Sequence, residues 1–370
     1  MNSEQQGAVL IIGGGIAGLA TAFHLARRGW TDVHLLEREP ALASHSSGRN
    51  AAIYRQLAED AVGVALARRS AELLDEGPGG LESWLTRSGG LYVAAAEKKI
   101  AEALVPAESS GLDYQRVDGV ELTDRAPVLE EGSARFGLWV EGDGIIDIHA
   151  VTEALARTVR AEGVRISTGA CVERILVEES QVCGVLLEGG TELRASRVVN
   201  AAGAWAASLG EAVGAPLPLV PFRRHLAVLD ADLPPASPVV WNLDDEVYFR
   251  PETGGLLASP CDETPFSPCL PPTSLDALEQ LGAKLHHLAP SLADKSVRRS
   301  WACLRTFASD RQFIAGGDPR LVGLYWLAGL GGRGMTEGLA AGEVLACVMS
   351  GEEHPLADEL SPARLLRSTS

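Results

Sequence analysis

Positive charge is scarce in this sequence of 370 residues. It contains 32 Lys and Arg residues against 49 Asp and Glu residues, which gives a net charge of −17. A strongly acidic chain repels phosphate groups, so nucleic acids and anionic membrane surfaces are disfavoured as partners. We interpret the charge as a source of solubility, and we expect the binding partner to be a small molecule.

Long hydrophobic runs are also missing. The first apolar segment begins at residue 8 and is interrupted by Gly13, Gly14, Gly15 and Gly18, and no later run is long enough to cross a bilayer. The sequence therefore predicts no transmembrane segment. No signal peptide is recognised at its start, which leads us to expect a cytoplasmic location.

Signatures of metal sites and of disulfide frameworks are absent as well. None of the six cysteines forms a C-x-x-C pair, and the eight histidines are scattered without an H-E-x-x-H motif, so we predict no metal site. The cysteines are expected to be free thiols in a cytoplasmic protein. Cys261 and Cys269 flank a proline-containing loop and could pair in an oxidising compartment.

What the sequence does contain, at its beginning, is a strand–helix–strand pattern. Residues 8–12 form an apolar run typical of a buried strand, residues 16–28 follow a helical period, and residues 33–37 form a second strand. Such a unit predicts a parallel sheet with a right-handed crossover. The length of the chain suggests about two domains.

Glycines occupy the first strand-to-helix junction in the pattern G-x-G-x-x-G, as Gly13, Gly15 and Gly18. The first glycine permits a tight turn, the second lets the backbone approach a diphosphate, and the third lets helix and strand pack closely. Glu37 ends the next strand, where a carboxylate can accept hydrogen bonds from a ribose. The pattern predicts a dinucleotide site; a merely close-packed turn is the alternative.

Three further segments favour FAD over NAD, and the acid at Glu37 disfavours the 2′-phosphate of NADP. The segment "REPALASHSSGRNAAIY" (residues 38–54) offers hydroxyl groups and small residues beneath a flat ring. The strand "RVVNAAGAWA" (197–206) ends in small residues. A second glycine-rich junction, "GLGGRGMTEG" (329–338), can direct a helix N-terminus at the pyrimidine end of a flavin, although an ordinary turn there is the alternative.

The remaining pattern divides the chain into two interleaved sets. A helix is predicted at 148–163, with strands near 165–168, 171–178, 183–188 and 197–201, whereas residues 216–260 alternate as in an antiparallel sheet. A helix near 273–288, strands near 297–307, 312–316 and 323–328, and a final helix follow. We predict an FAD-binding domain from residues 1–75, 145–215 and 308–370, and a substrate-binding domain from residues 76–144 and 216–307.

These residues resemble the D-amino-acid oxidase-like family of FAD-dependent amine oxidoreductases, which includes glycine and sarcosine oxidases. The resemblance is carried over almost the whole chain by "GGGIAG", "LLERE", "HSSGRNAA", "VVNAAGAW", "EVYFRP", "WACLRTFASD" and "GGRGMTEG". Within the family the chain looks closest to the D-arginine dehydrogenases. The resemblance implies an α/β protein: a glutathione-reductase-type FAD-binding Rossmann domain with an α+β substrate domain built on an antiparallel sheet.

The resemblance also implies roles for individual residues. Arg305 matches the arginine that clamps a substrate carboxylate, Tyr248 a tyrosine that helps to hold it, and Arg224 an arginine of the same pocket. The alternatives are a structural ion pair, a sheet aromatic and a surface charge, respectively. The residues expected to bind FAD are Gly13, Gly15, Ile16, Ala17, Gly18, Glu37, Arg38, Ser46, Ser47, Gly48, Arg49, Ala51, Ala52, Val172, Ala202, Gly203, Trp205, Gly331, Gly332, Gly334, Met335 and Thr336.

Departures from the D-arginine enzymes bear on the substrate. This chain has Ile53 in place of a histidine, Ala58 in place of a substrate-contacting tyrosine, and Gly90 in place of a glutamate that reads a guanidinium. A cationic side chain would lose a charge-assisted partner there, worth about 1.5–3 kcal/mol. We therefore expect a neutral amino acid, with apolar side chains included, rather than D-arginine.

Cys303 stands where sarcosine oxidases tether their flavin, and a free buried thiol is the alternative; non-covalent FAD is favoured. Arg333 and Glu337 flank the second glycine junction, either as substrate contacts or as exposed charges at a helix start.

The function that these features predict is oxidative deamination of a D-amino acid or related amine by hydride transfer from the α-carbon to flavin. The product imine then gives a keto acid and ammonia, and oxygen or a quinone reoxidises the flavin. One alternative is oxidation of a 2-hydroxy acid, which needs a base such as His45 or His225. Another is a non-catalytic flavin electron carrier. The substrate, its stereochemistry, the electron acceptor and the oligomeric state stay open.

Overall fold

The computed structural model describes residues 7–79, 81 and 83–369, with side chains as far as residue 366. Its centre is a six-stranded sheet in which the first strand of the chain, Val9–Ile12, is fully buried. Neighbouring strands are parallel except at one edge, where Ile314–Gly317 runs antiparallel to its neighbour. From that edge the strands are Ile314–Gly317, Leu324–Ala328, Arg197–Asn200, Val9–Ile12, Val33–Leu36 and Arg165–Ser167. The predicted strand–helix–strand unit and parallel sheet are confirmed.

Two long helices pack closely against each other beside this sheet. Ile16–Arg27 is buried along almost its whole length, and Gly334–Ser350 lies against it. The approach is close because glycine faces alanine: a Cβ added at Gly342 would lie 2.6 Å from the Cβ of Ala20. The helices of the described residues are Ile16–Arg27, Ala61–Asp75, Glu97–Ser109, Gly119–Arg125, Ile148–Ala161, Ala206–Glu211, Leu275–Leu288, Pro290–Ala293, Gly334–Ser350 and Ala357–Leu360, with 3₁₀ turns at Gly203–Trp205 and Pro362–Thr369.

A second large sheet, here called the roof sheet, covers the first from the other side of a cavity. Its neighbouring strands are antiparallel with one exception: Gly90–Ala94 pairs in parallel with Val239–Asn242. These two strands come from separate segments of the chain, so no hairpin dictates their direction. The sheet is thus mixed rather than antiparallel throughout. Its strands are Thr264–Pro265, Leu219–Leu229, Gly255–Ser259, Val247–Glu252, Val239–Asn242, Gly90–Ala94, Phe136–Val140 and Gln115–Asp118, with Val297–Ala308 paired to Leu219–Leu229.

Two small antiparallel sheets complete the structure. One contains Val172–Glu178, Gln181–Leu187 and a strand not predicted, Glu192–Arg194. The other joins Ile53–Tyr54 and Leu85–Arg87 to either side of Gly144–Ile146. This last sheet mixes strands from both predicted domains, and the domain boundaries themselves stay a prediction.

Among the residues that the structure describes, none of the helices combines the length and the apolar character that crossing a bilayer requires. The same residues contain no group of three or more His, Cys, Asp or Glu side chains arranged to hold a metal ion. All six cysteines are unpaired, including Cys261 and Cys269.

Candidate functional site

A cavity of about 1030 Å³ lies between the parallel sheet and the roof sheet. The carboxyl ends of the central strands open into it, through Ile12, Leu36 and Ala201. In open parallel sheets this is the usual position of a ligand. The volume is at the upper end for ligand cavities and leaves room for a dinucleotide together with a small substrate.

The first glycine junction forms the floor at one end of the cavity. Gly13 has φ +109°, which L side chains rarely adopt. A Cβ added at Gly18 would lie 1.9 Å from the carbonyl oxygen of Gly13, so only glycine lets the helix pack on its own strand here. The helix starts without a side-chain cap at Gly15, although the N–H of Ile16 donates to Ser47 Oγ at 3.0 Å. A helix start of this kind suits a diphosphate.

Glu37 lies beside this junction and is 6% exposed. Its two carboxylate oxygens accept hydrogen bonds from the backbone N–H groups of Gly14 at 2.7 Å and Glu39 at 2.8 Å. The carboxylate is therefore fixed at the cavity wall, with lone pairs left for ribose hydroxyl groups. The binding of a ribose by Glu37 stays a prediction.

An aromatic group stands next to the acid. The guanidinium of Arg38 lies 4.7 Å from the centre of the Trp205 ring. The His45 ring packs edge-to-face against the same Trp205 ring, with the ring centroids 4.8 Å apart. His45 also contacts Glu39 Oε1 at 3.0 Å. His45 thus belongs to the nucleotide end of the cavity, with Arg38 and Trp205.

Residues 46–52 connect the floor to the roof sheet. Ser46 Oγ donates to the carbonyl oxygen of Leu304 at 2.6 Å, and Arg250 Nε donates to the carbonyl oxygen of Ala51 at 2.5 Å. Ala52 adopts φ +55°, and its carbonyl oxygen accepts the N–H of Ile146. The segment is therefore held rigidly beneath the place predicted for the flavin ring.

The second glycine junction forms the floor at the opposite end. Gly331 has φ +49°, its N–H donates to Thr306, and a Cβ added to it would lie 2.4 Å from the ring of Phe307. The helix Gly334–Ser350 then begins without a side-chain cap. The two glycine junctions thus direct two helix N-termini into one cavity, as predicted.

Arg305 is the principal feature of the roof. On the strand Val297–Ala308, alternation places Cys303, Arg305 and Phe307 on the face that lines the cavity. Arg305 is 4% exposed, and no described residue forms an ion pair or a side-chain hydrogen bond with its guanidinium. A buried cation without a partner costs folding free energy, so an anionic ligand is expected to pair with it.

Tyr248 and Trp241 lie on adjacent roof strands that also line the cavity, with ring centroids 4.5 Å apart. Burial raises the pKa of Tyr248 to about 12, so the phenol keeps its proton at neutral pH and can donate a hydrogen bond.

Arg224 lines the cavity too, but its charge is already compensated. Its Nε donates to the carbonyl oxygen of Asp262 at 2.9 Å, and its Nη2 donates to Glu263 Oε1 at 2.7 Å. Arg311 shares the same carboxylate. Arg224 is neither a surface charge nor a free carboxylate ligand, and its contact with substrate stays a prediction.

The structure brings most of the predicted cofactor residues together around this one cavity. Those lining it are Gly13, Gly15, Ile16, Ala17, Glu37, Arg38, Ser46, Ser47, Arg49, Ala51, Val172, Ala202, Gly203, Trp205, Gly331, Gly332, Gly334, Met335 and Thr336. Gly18, Gly48 and Ala52 are not among its lining residues. They shape the backbone instead: a Cβ added at Gly48 would lie 2.3 Å from the carbonyl oxygen of Ala43.

Several sequence-based expectations concern residues near the substrate. Gly90 lies in the roof sheet away from the cavity lining, and a Cβ there would lie 2.6 Å from Asp143 Oδ2. The position therefore has no room for a side chain that reads a guanidinium. Cys303 is 2% exposed and lines the cavity, with its Sγ 3.7 Å from the carbonyl oxygen of Arg224.

His225 is not available as a base. It is fully buried, its Nδ1 contacts Asp262 Oδ2 at 2.7 Å, and its Nε2 accepts the N–H of Ser274 at 2.9 Å. Both ring nitrogens are therefore occupied by structural hydrogen bonds.

Sequence reasoning missed an ionic cluster at the cavity edge, formed by Arg55, Glu59, Arg333 and Glu337. The Glu59 side chain is its exposed member. Arg55 contacts Glu59 at 3.0 Å and lies over the ring of Trp241 at 4.5 Å. Glu337, treated above as a possible exposed charge, is 0% exposed. No local sequence pattern pointed to this cluster, because residues 55–59 and 333–337 meet only in the folded chain.

The residues of the cavity fit FAD. Two uncapped helix starts and a fixed carboxylate suit its diphosphate and ribose. A Cβ added at Gly203 or Gly332 would meet no protein atom within 4 Å, and both glycines line the cavity, so open space is kept beside them. Arg49 also lines the cavity, and its buried Nε has no hydrogen-bond partner among the described residues.

Comparison with known proteins agrees with this fit. The sequence profile described as "DAO: FAD dependent oxidoreductase" matches residues 8–348. The chain is 26% identical over 413 residues to the D-amino acid dehydrogenase of Cereibacter sphaeroides, covering 93% of this chain and 92% of that protein. It is 27% identical over 363 residues to the mitochondrial pyruvate dehydrogenase phosphatase regulatory subunit of Mus musculus, covering 92% of this chain and 41% of that protein.

The chain spans about two fifths of the length of the first curated relatives that it matches, 41% and 43%. Among solved structures, the L-proline dehydrogenase of P. horikoshii matches with a TM-score of 0.88 and 22% identity over 98% of both chains, which shows the shared fold.

The chain therefore belongs to the DAO family of FAD-dependent oxidoreductases. Membership of this family, together with the fit of the cavity, gives FAD as the cofactor.

Proposed function

We propose that this chain catalyses oxidative deamination of a D-amino acid or a related amine that carries a carboxylate. The observation that carries this proposal is Arg305, a guanidinium that is 4% exposed, lines the cavity and lacks a partner among the described residues. A carboxylate can accept two parallel hydrogen bonds from it. The likeness to a D-amino acid dehydrogenase over 92% of that protein's length supports the choice of substrate class.

The roles of the chain's own residues follow from their chemistry. Arg305 would bind the substrate carboxylate and thereby fix which C–H bond of the α-carbon faces the floor of the cavity. Tyr248 would donate its phenol O–H to the same carboxylate, because its raised pKa keeps the proton in place. Both residues act by holding and orienting the substrate rather than by moving protons.

FAD, when bound, supplies the acceptor for the hydride that leaves the α-carbon. The substrate amine must be neutral for this step, and an amine can lose its proton to solvent without a protein base. The imine product is then hydrolysed by water to a keto acid and ammonia.

Neither of the two histidines considered as a base is placed for the alternative, oxidation of a 2-hydroxy acid. That reaction needs a group to accept the hydroxyl proton. Both ring nitrogens of His225 are engaged, and His45 lies with Trp205 at the nucleotide end. An electron carrier is also disfavoured, because a carrier gains nothing from a buried unpaired guanidinium at its flavin site.

A neutral substrate side chain is the finer part of the proposal. The Glu59 carboxylate pairs with Arg55 at 3.0 Å and with Arg333 at 2.8 Å, so it is not free to bind a cationic side chain. The electron acceptor, oxygen or a quinone, is left open. Six unpaired thiols support a reducing compartment such as the cytoplasm.

An anaerobic substrate screen tests the proposal. Purified FAD-loaded protein is mixed with D- and L-amino acids, glycine, sarcosine and 2-hydroxy acids, and bleaching of the flavin absorbance is followed. Each amino acid that bleaches the flavin is paired with its decarboxylated amine, which should react at least about 100-fold more slowly, since it lacks the partner of Arg305. Bleaching by 2-hydroxy acids alone, or equal bleaching by the decarboxylated amines, would overturn the proposal.

A further inference from the structure

Glu337 has no role in the proposed reaction, yet its environment is unusual. It lies in the first turn of the helix Gly334–Ser350, behind the second glycine junction, and is 0% exposed. Neither of its carboxyl oxygens has a hydrogen-bond partner among the described residues. Burying a carboxyl group without hydrogen bonds costs folding free energy, so its presence here calls for a functional explanation.

Arg333 connects this acid to the cavity. Its Nε lies 3.3 Å from Glu337 Oε1, and its Nη1 lies 2.8 Å from Glu59 Oε2. Glycine on the facing helix makes the arrangement possible, because a Cβ added at Gly63 would lie 2.5 Å from Nη1 of Arg333. Arg333 and Glu59 both line the cavity, and Arg333 sits within the loop that begins at Gly331.

The members of this cluster differ in how they hold protons. Burial raises the pKa of Glu337 to about 8 despite the neighbouring guanidinium. At Glu59, whose side chain is 68% exposed, partial desolvation acts to raise the pKa, but Arg55 and Arg333 outweigh it and lower that pKa to about 2. With Arg55 included, the cluster has a net charge of +1 while Glu337 is protonated and of zero once Glu337 is ionised.

Asp60 and His24 face Glu337 from two neighbouring helices. Asp60 faces it from the start of the next helix, where its carboxylate caps the N–H of Gly63 at 2.8 Å. His24, on the helix Ile16–Arg27, contacts the carbonyl oxygen of Leu339, and burial lowers its pKa to about 4. His24 therefore stays uncharged near pH 8.

We propose that Glu337 is a positioning residue that holds or releases one proton behind Arg333 and so sets the positive charge at the ring end of the FAD site. The inference rests on the proposed function for the position of the flavin ring. Positive charge there stabilises the negative charge that develops when the ring is reduced. Ionisation of Glu337 therefore makes reduction of the bound FAD less favourable.

The test is the midpoint potential of FAD-loaded protein as a function of pH, for the wild type and for Glu337→Gln. The wild type should show an additional decrease in potential around pH 8. Glu337→Gln cannot ionise, so that decrease should be lost and the potential above pH 8 should be higher than in the wild type.

Infrared spectroscopy supplies a second readout that needs neither turnover nor a variant that folds well. A protonated-carboxyl C=O band should be present in the wild type at pH 7 and disappear as the pH rises through 8. The band should be missing from Glu337→Gln.

Two matched variants separate this role from general electrostatics. Glu59→Gln removes the other acid bound to Arg333, and it should keep the pH-dependent decrease but move it to lower pH, since a negative charge near Glu337 is gone. Glu343→Gln removes an acid of the same helix that pairs with Arg69 at 2.8 Å, and it should leave the potential profile unchanged.

A wild type without the carboxyl band at pH 7, or a decrease around pH 8 that persists in flavin-loaded Glu337→Gln, overturns the inference. Protein that refuses FAD would instead overturn the proposed function, so the two failures are distinguishable.

Discussion

The two glycine junctions direct similar helices into the same cavity, but their acids are treated in opposite ways. At the first junction, Glu37 accepts a backbone hydrogen bond on each oxygen. At the second, Glu337 is more deeply buried and accepts none. The difference matches the ligand: diphosphate and ribose carry a constant charge and constant polarity, whereas the charge of a flavin ring changes during turnover. A fixed acid suits the first end and a titratable one the second.

The largest effect is expected in the roof sheet, above the place proposed for the flavin ring. Arg305→Ala should lower kcat/KM by about 10³-fold, because two charge-assisted hydrogen bonds to the substrate carboxylate are lost. FAD should remain bound. Steady-state kinetics and the flavin spectrum measure the two properties separately. Arg299→Ala, an exposed arginine on the same strand, is the control, and an unchanged kcat/KM in Arg305→Ala would refute the clamp.

Steric demands should also differ between the two junctions. Gly18→Ala would press a Cβ to 1.9 Å from the carbonyl oxygen of Gly13, and we expect a loss of about 3 kcal/mol in unfolding free energy. Gly332→Ala meets no protein atom within 4 Å, so its stability should change by less than about 0.5 kcal/mol, whereas its FAD affinity should fall because the methyl group enters the cavity. Urea titration measures the stability of both variants, and FAD titration measures their affinity for the cofactor. Equal destabilisation of Gly18→Ala and Gly332→Ala would contradict the predicted difference between the junctions.

Replacing Glu37, the acid held by two backbone hydrogen bonds, should weaken the binding of FAD. In Glu37→Gln an amide N–H₂ faces a backbone N–H donor, and one hydrogen bond to the ribose is lost. We expect the Kd for FAD to rise by about 10- to 100-fold, measured by quenching of flavin fluorescence. Glu39→Gln, two residues further along the chain, half-buried and not among the residues that line the cavity, should change the Kd little.

Replacing Glu337, the acid without hydrogen bonds, should instead change how the stability of the protein depends on pH. The pKa of Glu337 in the folded state is raised to about 8, whereas in the unfolded chain it is near 4.3. Between these values the folded state binds more protons, so the stability of the wild type falls as pH rises through this window and is level above it. The Tm of Glu337→Gln should therefore exceed that of the wild type increasingly from pH 5 to 8. Parallel Tm profiles would contradict this.

The smallest effect is expected at Cys303. If FAD is held without a covalent bond, acid precipitation should release the flavin from the wild type and from Cys303→Ala alike. Yellow colour that stays with the wild-type pellet alone would reveal a tether.

Local signals were enough to predict the parallel sheet and the cofactor end of the site. The sequence pattern gave the strand Val9–Ile12 and the helix after it, because an apolar run interrupted by glycines and followed by a helical period is recognisable in a short window. The glycine junctions were predictable because a positive φ, as at Gly13, restricts the residue type directly.

Long-range pairing was not predictable in the same way. Nothing near Gly90–Ala94 indicates that its partner is Val239–Asn242 or that the two run in parallel. Likewise, Arg224 reads as a free arginine until the fold brings Glu263 to it. Charges that compensate each other across such distances leave no local pattern, so the ionic cluster at Glu337 became visible only in the folded chain.

The close contact between the helices Ile16–Arg27 and Gly334–Ser350 has a consequence for folding. The first helix is buried chiefly by a segment that leaves the ribosome some three hundred residues later. Until then its apolar surface has no native cover, and the long sequence separation of the contact is of the kind that slows folding. We therefore expect the first helix to reach its native packing, and the FAD site to form, only after the segment Gly334–Ser350 has been synthesised.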